Sequence, residues 1–79
     1  MSGEGLPVVS GDEAIKALRR IGYEVVRRKG SHRRLRHSTD LARRPVTVPD
    51  HRELKPGTLR AILRDTGLGI EEFKSLLKK

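Results

Sequence analysis

The apolar residues change their spacing twice along this chain, and that change constrains the fold most. From Ala14 to Ile21 they recur at helical intervals, and Ser10 and Glu13 have the spacing of an N-terminal capping box. Gly22 stands where a left-handed C-terminal cap is expected. The segment therefore predicts an amphipathic helix that begins after Ser10 and stops at Gly22.

The next segments have the composition of strands. Residues 23–28 are rich in aromatic and β-branched side chains, residues 29–31 predict a turn around Gly30, and residues 32–37 can return as an antiparallel partner. Residues 45–49 predict a short edge strand bounded by prolines. Together these segments predict a three-stranded antiparallel sheet.

Helical spacing returns at Pro56, which suits a first helical turn, and Gly67 is expected to end that helix. Residues 70–78 predict a short extra C-terminal helix. The expected fold class is α+β, in the order α-β-β-β-α plus the extra helix, as a single domain over residues 1–79. Helices then cover one face of the sheet and leave the other free. Residues 1–9 lack periodicity and predict a flexible leader.

The charge balance points to a polyanionic partner. Lysine and arginine number 18 against 10 acidic residues, a formal net charge of +8. Clustered cations gain affinity for nucleic acid by releasing its counterions. With no cysteine, the chain has no disulfide, no thiol nucleophile and no cysteine-based zinc site, so a reducing cytoplasm is expected. The sequence predicts no membrane span.

The cations concentrate around the predicted hairpin turn, where they surround His32. In a strand, alternate residues share a face, so His32, Arg34 and Arg36 face one way while Leu35 faces the core. The candidate RNA-binding residues are Arg27, Arg28, Lys29, Arg33, Arg34 and Arg36. Arg33 and His37 fall on the Leu35 side of this alternation, and His37 is expected to be a packing or strand-end residue.

This combination suggests ribonuclease chemistry centred on His32. RNA carries its own nucleophile, the 2′-OH, so cleavage needs a positioned acid or base and cations that stabilise charge on the phosphate. The acidic residues are scattered, which favours a mechanism without metal or other cofactor. Two alternatives stay open at this point: His32 is an ordinary turn residue, or the cations bind RNA without cleaving it. His51 is either a second acid or a surface residue, and Ser31 is interpreted as a turn former.

Two blocks of sequence resemble the HicA (YcfA-like) toxins. The first is the run Gly22-Tyr23-Glu24-Val25-Val26-Arg27-Arg28-Lys29-Gly30-Ser31-His32, followed by Leu35. The second is Val46-Thr47-Val48-Pro49 with His51, then Leu54, Gly57-Thr58-Leu59, Ile62-Leu63 and Gly67-Leu68. The blocks occur in the family's order, and the resemblance covers roughly Gly11 to Leu77.

The resemblance implies a fold like that of double-stranded-RNA-binding domains. It also implies a toxin that cleaves mRNA and so blocks translation, with the family's catalytic histidine at His32. The implied partners are mRNA and a HicB-type antitoxin protein that covers the histidine face. A non-catalytic RNA-binding module of the same fold is the alternative, and a purely protein-binding role is a third.

Overall fold

A computed structural model describes residues 5–79, which form three helices and one three-stranded sheet. The elements are α1 (Gly11–Arg19), β1 (Tyr23–Lys29), β2 (His32–His37), β3 (Val46–Pro49), α2 (Pro56–Thr66) and α3 (Ile70–Leu77). The α+β class and the α-β-β-β-α order with an extra C-terminal helix are confirmed. No helix within these residues has both the length and the apolar character needed to cross a bilayer.

Helix α1 begins as the sequence predicts and ends earlier. The backbone N–H of Glu13 donates to Ser10 Oγ over 3.0 Å, and that of Ser10 donates to Glu13 Oε1 over 2.8 Å, which completes the capping box. The C-cap is Arg20, not Gly22, so the prediction that the helix stops at Gly22 is wrong and the helix ends before that glycine. Gly22 still has a positive φ of 106°, and a Cβ there would lie 2.6 Å from Nε2 of His37. Close packing against that ring requires the glycine.

The sheet is antiparallel throughout, in the order β1-β2-β3. Lys29 on β1 pairs with His32 on β2, so a two-residue turn joins the strands. Its first residue, Gly30, has a φ of 58°, the left-handed conformation that tight hairpin turns favour. Because a two-residue turn fixes the register of both strands, it also fixes which side chains share a face with His32.

One face of the sheet packs against the helices. The core combines Tyr23, Leu35, Val46 and Val48 of the strands with helical residues that include Ala14, Ile15, Ala17, Leu18, Leu59, Ile62, Leu63 and Phe73. Gly67, with a φ of 77°, ends α2 as predicted. Burying this side of the sheet leaves the alternate side chains of each strand on the opposite side, referred to below as the free face.

The leader prediction needs correction in its described part. Residues 1–4 lie outside the described residues. Val9, however, is only 4% exposed within the core, and Leu6 packs against that core. The backbone N–H of Leu54 also donates to the carbonyl of Val9 over 2.8 Å. Apolar burial and this hydrogen bond hold the segment just before Ser10 against the domain.

The loop between β2 and β3 is held at several points. The hydroxyl of Tyr23 donates to the carbonyl of Arg44 over 2.9 Å, and burial raises the pKa of this hydroxyl. Nη1 of Arg43 donates to the carbonyl of Thr66 over 2.8 Å at the end of α2. Arg43 is thereby directed towards α2 by its own hydrogen bond.

Candidate functional site

A β-bulge in β1 determines which cations reach the free face. Val25 pairs with Leu35 on the core side, and Arg27 pairs with Arg34, so Val26 is an extra residue opposite β2. Without it, strict alternation would place Arg27 on the same side as Val25. The bulge reverses the alternation and brings Arg27 and then Lys29 onto the free face. Neither composition nor spacing indicated it.

The free face forms an open, basic cleft of about 720 Å³ around His32. The described residues that line this cleft are Val26, Arg27, Lys29, His32, Arg34, Arg36, Pro45 and Thr47. None of these is acidic, and four of them are cations, namely Arg27, Lys29, Arg34 and Arg36. Within residues 5–79 none of these four cations takes part in an ion pair. Their charge is therefore available to an anionic ligand.

His32 is the first residue of β2 and follows the hairpin turn directly. It is exposed, and it lies between Lys29 on β1 and Pro49 on β3 in the strand register. Its side chain lines the cleft together with the arginines two and four residues further along the strand. The structure thus brings His32, Arg34 and Arg36 together as the strand alternation predicted.

The cations on the free face are placed close to one another. Arg27 and Arg34 are directly opposite across the β1–β2 ladder, an arrangement of like charges that costs stability. Nη1 of Arg34 donates to Oγ1 of Thr47 over 2.9 Å, which orients its guanidinium from β3. A bound phosphate would relieve the repulsion between these charges, as expected of a surface that binds a polyanion.

Arg28 and Arg33, which were also candidates for RNA binding, are not in this group. They are opposite each other in the β1–β2 register, and Arg33 lies on the side of the sheet that carries Leu35. Arg33 is only 7% exposed, and its guanidinium contacts the carboxylates of Asp12 and Asp50. Arg33 is therefore removed from the RNA-binding candidates. The strand alternation, which predicts that Arg33 shares a face with Leu35, gives its position correctly, whereas its charge alone suggested RNA binding.

The other two histidines are placed differently from His32. Nδ1 of His37 accepts the backbone N–H of Asp40 over 2.9 Å, and Nε2 contacts the carbonyl of Ile21 at 2.5 Å. Its ring meets Tyr23 edge-on, with 5.2 Å between the ring centres. These contacts fit the expected strand-end packing role. The exposed His51 lies in the loop after β3, and the described lining of the cleft does not include it.

Three cleft residues were not singled out from the sequence. Val26, 53% exposed, is the bulge residue, and Pro45 precedes β3. Thr47 lies between two buried valines of β3, so strand alternation alone could have assigned it to the free face. Among residues 5–79, no group of three or more His, Cys, Asp or Glu side chains lies close enough together to hold a metal ion.

This arrangement combines one titratable imidazole with several cations on an exposed surface. The family model described as the HicA toxin of bacterial toxin-antitoxin systems matches residues 11–68, which contain all three strands and helices α1 and α2. The chain belongs to the HicA toxin family. The resemblance seen in the two sequence blocks is thus confirmed. No curated protein matches the chain significantly.

Membership of the HicA family identifies the chain as the toxin component of a toxin–antitoxin system and implies an antitoxin partner in general terms. The matched segment includes every strand residue that lines the cleft. The basic cleft therefore belongs to the part of the chain that defines the family.

Proposed function

We propose that this HicA-family toxin is an endoribonuclease that cleaves mRNA, and so inhibits translation, with His32 as an acid or base in the reaction. One observation carries the proposal: His32 lines a cleft together with four cations, and none of the described residues that line this cleft is acidic. Such a cleft attracts the phosphate backbone of RNA and presents the imidazole to it. The substrate implies a cytoplasmic site of action.

The reaction needs two proton transfers and no external nucleophile. The 2′-OH of RNA attacks the neighbouring phosphorus, a bond forms from the 2′-oxygen, and the bond to the 5′-oxygen breaks. The 2′-OH loses a proton and the leaving 5′-oxygen gains one. His32 is assigned to one of these transfers. Arg34 and Arg36, on the same face of β2, stabilise the negative charge that develops on the phosphate oxygens.

The proposed inhibitor is a HicB-type antitoxin that covers the free face. The cleft holds uncompensated positive charge, so an acidic surface on the antitoxin would complement it and exclude RNA at the same time. Co-expression with the antitoxin should restore growth to cells that express the chain.

The deciding experiment compares His32→Ala with His51→Ala on end-labelled mRNA in the absence of added metal. We expect His32→Ala to slow cleavage about a hundredfold or more, because it removes the proton-transfer group. His51→Ala also removes one exposed imidazole, but that side chain is outside the described cleft lining, so cleavage should stay near the wild-type rate. A His32→Ala protein that cleaves as fast as the wild type contradicts the catalytic assignment.

A second candidate is a non-catalytic RNA-binding module. The four cations of the cleft favour it, since they supply affinity for phosphates whatever His32 does. If the purified wild type binds RNA but leaves it intact at every salt concentration tested, the binding function replaces the nuclease. If His32→Ala retains RNA affinity and loses both cleavage and growth inhibition, the nuclease stands.

A further inference from the structure

We propose that Arg33 is a positioning residue for His32: its buried guanidinium holds the carboxylate of Asp50, whose backbone N–H in turn donates to the carbonyl of Ser31 on the other side of the histidine. The inference rests on the proposed function, because it assigns a role to the side of the sheet behind the reactive face. Arg33 follows His32 directly in β2 but faces the helices, so it cannot contact RNA in the cleft.

The contacts of Arg33 join three separate parts of the fold. Nη1 donates to Oδ1 of Asp12 in α1 at 2.5 Å, and Nη2 donates to Oδ1 of Asp50, just after β3, at 3.4 Å. Both carboxylates are largely exposed, whereas the Arg33 side chain is only 9% exposed. The guanidinium is thus the buried centre of a link between α1, β2 and the loop after β3.

Asp50 is bound to the chain on either side of His32. Its carboxylate accepts Nη2 of Arg33, the residue after the histidine, and its backbone N–H donates to the carbonyl of Ser31, the residue before it, over 2.6 Å. Pro49, the neighbour of Asp50, is the register partner of His32 itself. These contacts hold His32 at a fixed position relative to the end of β3.

The space around the guanidinium is closely filled. A Cβ on Gly11 would lie 2.9 Å from Nη2 of Arg33 and 2.1 Å from the carbonyl oxygen of Pro49. The backbone N–H of Gly11 also donates to the carbonyl of His51 over 2.9 Å. The absence of a side chain at the start of α1 therefore allows the helix to close over Arg33.

Stability alone is a poor reason for this arrangement. Removing a guanidinium from water is costly, and an apolar side chain of similar volume often serves a core as well or better. Nε of Arg33 is buried and has no hydrogen-bond partner within residues 5–79, which adds to that cost. What the guanidinium supplies, and an apolar side chain does not, is a directional link from β2 to Asp50 beside His32.

The test compares Arg33→Met with Arg43→Met. Both replace an arginine whose guanidinium ties two elements together, and both lower the net charge equally, but Arg43 bonds to Thr66 at the far end of α2. For Arg33→Met we expect kcat for RNA cleavage to fall about tenfold or more, because small misplacements of a reacting group are costly. KM should stay within about twofold, since no cleft cation is removed. Arg43→Met should leave both constants near those of the wild type.

A spectroscopic measurement makes the test independent of activity. The ring carbon–proton NMR signals of His32 should shift or broaden in Arg33→Met and stay unchanged in Arg43→Met, because only the first substitution removes the link between β2 and Asp50 beside the histidine. Unchanged His32 signals in folded Arg33→Met overturn the inference, whether or not the wild type cleaves RNA. A wild type that cleaves no RNA, with shifted His32 signals in the variant, overturns the proposed function and leaves the positioning role supported.

If Arg33→Met fails to fold, the exposed partners provide a second comparison. Asp50→Asn weakens the link beside His32, whereas Asp12→Asn weakens the link to α1. We expect Asp50→Asn to lower kcat several-fold and to perturb the His32 signals, and Asp12→Asn to act mainly on unfolding. An equal or larger loss of kcat in Asp12→Asn overturns the assignment, because Arg33 would then act through the general packing of α1.

Discussion

The two faces of β2 use the same residue types in opposite ways. On the free face, His32 and Arg34 line an open cleft whose cations take part in no ion pair within the described chain. On the core face, Arg33 is buried between two carboxylates and His37 hydrogen-bonds to backbone groups at the strand end. Residue type alone therefore does not assign function in this strand.

The two faces differ in whether other groups of the chain provide partners for the arginine and histidine side chains. On the core face, carboxylates bind Arg33 and backbone groups bind His37. Most buried polar groups find partners within the fold, because leaving them without partners costs free energy, and on the core face Nε of Arg33 is an exception. Within residues 5–79 the four cations of the free face take part in no ion pair, although Arg34 donates to Thr47, and Arg27 and Arg34 even oppose each other across the ladder. Charge that the fold does not neutralise is charge available to a ligand.

The largest expected effect tests the core side through Leu35, which is fully buried. Leu35→Ala should lower the free energy of unfolding by about 3 kcal/mol, because it removes buried methyl groups and leaves a cavity. Arg36→Ala, the next residue on the free face, should change it by less than about 0.5 kcal/mol. Urea denaturation followed by circular dichroism measures both. Similar losses in the two variants would break the distinction between the faces.

The two histidines of β2 give the next largest effect. His37→Ala removes the contacts with Ile21 and Asp40 and the edge-on packing against Tyr23, so unfolding should become easier by about 2 kcal/mol. His32→Ala should leave stability within about 0.5 kcal/mol of the wild type. Thermal or urea unfolding of both variants checks this. A His32→Ala protein destabilised as strongly as His37→Ala would show that His32 is structural.

The sequence predicted most of the fold because its signals are local. The Ser10–Glu13 capping box, the turn glycine Gly30 and the cap Gly67 each act within a few residues, and all are found in the structure. The bounds of β2 matched the prediction completely. Local spacing and turn chemistry were sufficient for these elements.

The missed features depend on contacts between distant residues. The bulge at Val26 is a property of the pairing of β1 with β2, and the burial of Arg33 depends on Asp12 and Asp50 being brought to it by other elements. Val9 is held by its contacts with the core and with Leu54. Charge density around His32 indicated the right region, but only the assembled sheet separates the cations that face the cleft from those that do not.

A smaller effect tests whether the free face binds the phosphate backbone of RNA without recognising its base sequence. Arg34→Gln should weaken binding to unrelated RNA sequences by similar factors and reduce the slope of log affinity against log salt by about 0.7, the value for one lost phosphate contact on a single strand. Arg36→Gln should behave in the same way. Arg43→Gln carries the same charge change outside the described cleft lining and should alter the slope less. Losses confined to one RNA sequence would contradict a backbone-binding surface.

The smallest effect concerns the carboxylate that holds Arg33 from α1. The hydrogen bond from Arg33, and then its charge, lower the pKa of Asp12 below its usual value of 3.8 in the folded chain. A carboxyl whose pKa is lower when folded contributes stability above its unfolded pKa and loses that contribution as pH falls through the folded value. The wild type should therefore be more stable than Asp12→Asn at neutral pH, and the difference should shrink as the pH falls below about 4. Urea midpoints of both proteins between neutral pH and pH 3 measure this. A difference that stays constant over that range would mean that the ion pair between Asp12 and Arg33 adds no stability, and would leave Asp50 as the carboxylate that holds Arg33 on the core face.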